Sequence, residues 1–193
     1  MVERSVTPAH PQTGEKRSVT PAHIKQNQPN QPRRGETETQ NSMANTLVKN
    51  DIHLVFHVKS TGIVMRTADL PRIFAYIGGI IKNIGGIPIE IGGVANHVHI
   101  LTSLPKTIAL ADFVRTIKAN SSKWMKSLNN YYRYFSWQEG YGAFSVSPSL
   151  LQKTVRYIRG QEIHHRKTSF QDEYKRFLNA YGIQYDERYA FGG

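Results

Sequence analysis

The apolar positions between residues 52 and 104 fall into short alternating runs, the pattern of strands rather than long helices. Ile52, Leu54, Phe56 and Val58 alternate with His53, Val55 and His57, which predicts a strand whose better-buried face carries the first set. Asp69 followed by Pro71 predicts a helix start, and Gly85-Gly86 stops that helix at about Ile84. Residues 87–91 predict a second strand, with Gly92-Gly93 as a turn or bulge, and residues 94–104 hold a third, ended by Pro105.

Residues 109–128 have the clearest helical period. Leu110, Phe113, Val114, Ile117, Trp124 and Leu128 share one side, and Arg115, Lys118, Ser122 and Lys126 the other. Residues 137–146 predict a fourth strand, bent at its glycines. Ser147-Pro148 opens a helix to about His165, and residues 169–181 form a last one. The order β-α-β-β-α-β-α-α predicts an α+β fold of the ferredoxin-like or RRM-like kind. Its sheet is antiparallel, with helices packed on one face.

Composition changes the picture at the N-terminus. Residues 1–42 contain no aromatic residue, hold five of the nine prolines and repeat RSVTPAH at 4–10 and 17–23. Two copies are too few for a solenoid, and such a segment buries too little apolar surface to offset its ordering entropy. The expected division is a disordered extension over residues 1–43 and one domain over residues 44–193, with Met43 as a second candidate start. The extension carries only +2 of the +11 net charge; the domain's 19 basic and 10 acidic residues supply the other +9. A domain this basic favours a polyanionic partner, since each neutralised phosphate releases counterions. With no cysteine there is no disulfide, thiolate metal site or Cys nucleophile. No apolar run is long enough to span a bilayer, so the expected setting is soluble and intracellular, with no membrane partner.

Two constellations carry candidate chemistry. His97 and His99 flank Val98 on the predicted third strand, so both imidazoles project from one face and can share a divalent cation. The same pair also fits two ordinary histidines at a sheet surface. A third alternating histidine, as histidine-triad hydrolases need, is absent because residue 101 is Leu; paired His-x-Thr/Ser motifs are absent too. Tyr157 and Gln161 lie one helical turn apart. Gln161 offers an amide oxygen to a metal, and Tyr157 a phenol whose ionisation a nearby cation would favour. Read separately, the two fit a half-buried and a solvated helix residue equally well. His164 and His165 are candidates for phosphate contact or spare metal ligands, or simply polar residues suited to a helix C-terminus.

In this order, with the fourth strand between them, the two features resemble the single-tyrosine HUH transposases of small bacterial insertion sequences. The resemblance spans about residues 46–185. It is carried by NHVHIL at 96–101, KANSSKW at 118–124, WQEGYGAFSVS at 137–147 and YIRGQEIHH at 157–165. It implies a metal site at His97, His99 and Gln161, a nucleophile at Tyr157, and dependence on Mg²⁺ or Mn²⁺. It further implies action on single-stranded DNA with hairpins near element ends, through a 5′-phosphotyrosine. The partner it implies is a second copy of the chain, with active sites shared between chains, in the bacterial cytoplasm at the nucleoid. For DNA contact the candidates are Arg115, Lys118, Lys123, Lys126, Tyr132 and Arg133, where cations and aromatics interleave; the YYRYF run fits core packing as well. Rival readings are a domesticated hairpin binder without transposition, a replication-initiating or plasmid-relaxing nuclease, and an RNA-binding module.

Overall fold

Four strands of one antiparallel sheet run in the spatial order β2-β3-β1-β4: β1 (Asp51–His57), β2 (Ile87–Val94), β3 (His97–Ser103) and β4 (Gly142–Ser145). The computed structural model describes residues 47–60, 62–187 and 190, so the expected extension over residues 1–43 lies outside the described residues. Helices α1 (Leu70–Asn83) and α2 (Leu110–Leu128) complete the β-α-β-β-α-β order, and α3 (Leu151–Arg159), α4 (Gln161–His164) and α5 (Phe170–Ala180) follow. This is the predicted α+β, ferredoxin-like arrangement.

Strand alternation sorts the core into two layers. Ile52, Leu54, Phe56, Val98 and Ile100 pack with Ile73, Ile77 and Ile81 of α1 and with Phe113, Val114 and Ile117 of α2. On the other face Val55 and Phe144 meet Tyr174 and Leu178 of α5, while Leu101 and Val146 meet Val155 and Ile158 of α3. The C-terminal helices therefore cover the face opposite α1 and α2. For that reason β1 is buried on both faces, not on one as its alternation predicted.

Local chemistry sets the boundaries. Gly85 takes the left-handed conformation (φ 81°) past the end of α1, and the Gly86 N–H donates to Ile81 O at 2.9 Å. Asp69 stands before α1 without capping it; its carboxylate accepts from the Tyr132 hydroxyl instead (2.8 Å). Gly92 and Gly93 are not a turn but paired residues of β2, opposite His99 and Val98, and the register irregularity falls between Pro88 and Glu90. A Cβ at Gly92 would stand 2.8 Å from Ile158 O, so the missing side chain lets α3 lie directly on the sheet beside His99.

The fourth strand is shorter than predicted. Trp137 forms only an isolated bridge with Val58, and residues 138–140 are a loop. That loop is held by Lys118, whose ammonium donates to the carbonyls of Gln138, Glu139 (3.0 Å) and Gly140 (2.8 Å) and lies 5.3 Å from the Phe56 ring centre. Burial pulls the Lys118 ammonium down to about 8. The predicted helix to His165 is broken at Gly160 into α3 and α4. Among the described residues, no helix is long and apolar enough to cross a membrane.

Candidate active site

His97 and His99 sit on the central strand β3, both fully buried, with their rings on the face covered by the C-terminal helices. Gly160 ends α3 and starts α4, and this keeps Tyr157 and Gln161 beside those rings. The Tyr157 ring centre lies 5.8 Å from that of His99, and Gln161 Oε1 lies 3.4 Å from His97 Nε2. The four residues come together within one chain.

The element that completes the cluster is α5, and the residue is Glu173. Ser169 caps α5, its hydroxyl accepting from the Asp172 N–H at 3.1 Å. Glu173 points into the centre and is 2 % exposed. It accepts hydrogen bonds from the Tyr157 hydroxyl and from Gln161 Nε2 (3.0 Å). Its oxygens also lie 3.5 Å from His97 Nε2, 3.4 Å from His99 Nε2, 3.1 Å from His165 Nε2 and 3.5 Å from His164 Nε2. Sequence reasoning missed Glu173. The signal was a carboxylate inside the otherwise aromatic stripe of Phe170, Tyr174 and Phe177.

The charge states follow from burial. Desolvation holds His99 below its ordinary value and His97 down to about 3, so both rings are neutral and their contacts with Glu173 are not ion pairs near neutral pH. Burial by itself would raise the Glu173 carboxyl, but His99 and the hydrogen bonds from Tyr157 and Gln161 outweigh it and hold the group well below the usual carboxylate range. Burial, and then Glu173, push the Tyr157 phenol up. In this arrangement the tyrosine keeps its proton.

Acid lability follows. An unfolded chain protonates His97 near 6.5, the folded ring only near 3. Between those values the unfolded state binds more protons, so stability falls as pH drops. Glu173 acts in the same direction lower down, since its depressed carboxyl stabilises the fold only while ionised. In chelator, the Tm is expected to fall progressively from roughly pH 7 to roughly pH 4; a flat Tm across that window would contradict neutral, buried imidazoles.

The residues fit a divalent cation. His99 Nε2 is a buried nitrogen at the centre of the group, with Glu173 as its polar neighbour at 3.4 Å and no hydrogen bond of good geometry. Ligand atoms of His97, His99, His165 and Glu173 all lie within 4.8 Å of one another. Gln161 Oε1 borders the same space. Oxygen donors from Glu173 and Gln161 beside imidazole nitrogens make a mixed donor set of the kind that binds divalent metals. Next to the cluster a cleft of about 210 Å³ opens on Tyr157, lined also by His53, Lys153, Thr154, Phe177 and Tyr181.

The six residues predicted for DNA contact are not at this site. Arg115, Lys123 and Lys126 lie on the exposed side of α2, across the sheet, where Arg115 pairs with Asp112 (2.7 Å). Lys118 is committed to the loop carbonyls. Tyr132 is fully buried, its hydroxyl accepting from the Arg66 N–H (2.9 Å) and raised to about 12 by burial, so it stacks in the core and not on bases. Arg133 is exposed and stands over the Tyr134 ring. Arg66 over Tyr131 (4.0 Å) and Arg72 over Trp124 (5.4 Å) extend that basic, aromatic surface.

Known proteins complete the picture. Among solved structures the chain resembles a candidate transposase from Deinococcus radiodurans R1, at 20% identity and a TM-score of 0.48, over 61% of this chain and 94% of that one. It also resembles a REP-associated tyrosine transposase bound to a REP hairpin, at 14% identity and a TM-score of 0.48, over 62% and 71%. No curated protein matches the chain. The family model described as "Transposase IS200 like" matches residues 46–161, more than half the chain, and takes in His97, His99, Tyr157 and Gln161, with His165 and Glu173 beyond its end. The chain belongs to the IS200-like transposase family.

Proposed function

We propose that this transposase cuts and rejoins single-stranded DNA through a 5′-phosphotyrosine at Tyr157. The observation that carries the reading is the meeting of Tyr157, His97, His99 and Gln161 at one buried polar centre. In the forward step the Tyr157 phenolic oxygen forms a bond to phosphorus, the P–O3′ bond breaks, and the departing oxygen takes a proton to become a 3′-hydroxyl. Glu173 accepts the Tyr157 hydrogen bond and so orients the hydroxyl, while the phenolic proton passes to solvent through the cleft, a loss that a bound cation would favour. Reversal with a new 3′-hydroxyl rejoins strands, because the phosphodiester energy is kept in the covalent link.

His97, His99 and Gln161 would hold Mg²⁺ or Mn²⁺, with Glu173 and His165 as further donors. Such a cation polarises a phosphoryl oxygen and offsets developing negative charge. Lys153 in the cleft beside Tyr157 provides a cation for the strand's phosphates.

Hairpin recognition belongs to this reading. The +9 domain and the exposed arginine-aromatic pairs of the α1–α2 side offer a surface to a DNA stem or its unpaired bases. So does a homodimer, in a bacterial cytoplasm at the nucleoid. The sharing of active sites between the two copies is part of the same proposal.

Labelled single strands taken from the DNA on either side of the gene, folded so that any palindrome forms a hairpin, are the test substrate. With Mn²⁺ they are expected to yield an adduct that survives denaturing electrophoresis, plus a free 3′-hydroxyl fragment. Binding without any adduct, with or without metal, would favour the domesticated hairpin binder instead.

A further inference from the structure

His53 sits on β1 behind His99, 2 % exposed, and the family reading gives it no role. Its Nε2 lies 2.9 Å from His99 Nδ1, and the two rings stack at 5.1 Å with 28° between their planes. Phe177 (5.2 Å) and Tyr157 (6.3 Å) meet the His53 ring edge-on, and Phe144 lies 6.3 Å away, so the ring is held in place.

A neutral imidazole has one N–H and one bare nitrogen. For His99 to offer a bare Nε2 to a cation, its proton must sit on Nδ1, and an acceptor must receive it there. His53 Nε2 is the side-chain atom in hydrogen-bond range of that Nδ1. His97 is served in the same way by a different group, since its Nδ1 lies 2.8 Å from the amide oxygen of Asn96, an acceptor only. Both imidazoles are thereby turned to present Nε2 to the centre, where His97 Nε2 and His99 Nε2 face Glu173.

We infer that His53 is a positioning residue, which accepts the His99 Nδ1–H and so fixes the tautomer and orientation in which His99 ligates metal. His53 carries its own proton on Nδ1. It is not itself a ligand, because the nitrogen on the cluster side is taken up by His99. Partners of this kind commonly change metal affinity by about 10- to 100-fold when removed. The inference rests on the metal site proposed above, and the test separates the two.

The full chain is compared as wild type, His53→Phe and His53→Gln. Phenylalanine keeps a ring of similar shape without an acceptor, whereas the glutamine Oε1 can reach the position of the imidazole Nε2. Mn²⁺ affinity is read from the electron paramagnetic resonance of the free ion. The His99 tautomer is read from imidazole ¹⁵N shifts of the metal-free protein, and folding from circular dichroism. Expected are Nδ1–H at His99 in wild type, Mn²⁺ binding weakened about 10- to 100-fold in His53→Phe, and most of it recovered in His53→Gln. A folded His53→Phe with wild-type affinity overturns the inference, and so does an equal loss in both variants, which would mark simple packing. Failure of wild type to bind Mn²⁺ overturns the metal reading. In that case the tautomer still decides for His53, since Nε2–H at His99 in wild type counts against it. Should His53→Phe not fold, the wild-type tautomer and the Mn²⁺ affinity of His53→Gln decide in its place.

Discussion

Tyr157→Phe is expected to abolish the covalent protein–DNA adduct, with cleavage falling at least about a thousandfold, as when other covalent catalysts lose their nucleophile. The change removes one oxygen. The phenyl ring keeps its contacts with His99 at 5.8 Å and Phe177 at 5.7 Å, so the site should hold its shape. Glu173 loses one hydrogen bond but keeps that from Gln161, at a cost to stability of about 1–3 kcal/mol. Hairpin affinity, measured by mobility shift, should stay within about twofold of wild type, since binding and bond-breaking then reside in different residues. A Phe variant that still nicks its cognate strand would remove Tyr157 from the chemistry.

The second large effect is expected on removing metal. Chelation of the wild-type protein should stop adduct formation while leaving the hairpin shift, and added Mn²⁺ should restore cleavage. His97→Ala should lose cleavage without such rescue at ordinary metal concentrations. It deletes a buried imidazole nitrogen of the proposed metal site, leaves Asn96 Oδ1 without the His97 ring and opens a cavity in a fully buried spot. Measuring its Tm alongside separates ligand loss from unfolding. Cleavage that persists in chelator at the wild-type rate would show that the histidine pair does not act through a cation.

What was legible in the sequence had local causes. His97 and His99 share a face because strands alternate, and Tyr157 and Gln161 share one because helices repeat every 3.6 residues. Gly160 splits that helix without separating the pair. The ferredoxin-like order could be read from the strand and helix periods alone.

What was illegible depended on packing between distant segments. Glu173 joins the site only because α5 folds back over β3, 74 residues away along the chain from His99. His53 lay on what looked like the wetter face of β1, and that face is dry only because α3 and α5 cover it. Lys118 and Tyr132 were placed with the DNA contacts because they stand among basic and aromatic residues. The loop at 138–140 claims the first, and Asp69 with the core claims the second. Periodicity locates a face; it does not say what will be laid against it.

The most direct measurement is mass spectrometry of the adduct trapped with a single-stranded hairpin substrate, after nuclease trimming and proteolysis. The chemistry proposed for this fold requires a residual nucleotide on the phenolic oxygen of Tyr157, and its disappearance in chelator. A nucleotide mapped to any other residue, or an adduct that forms equally well without metal, would contradict it.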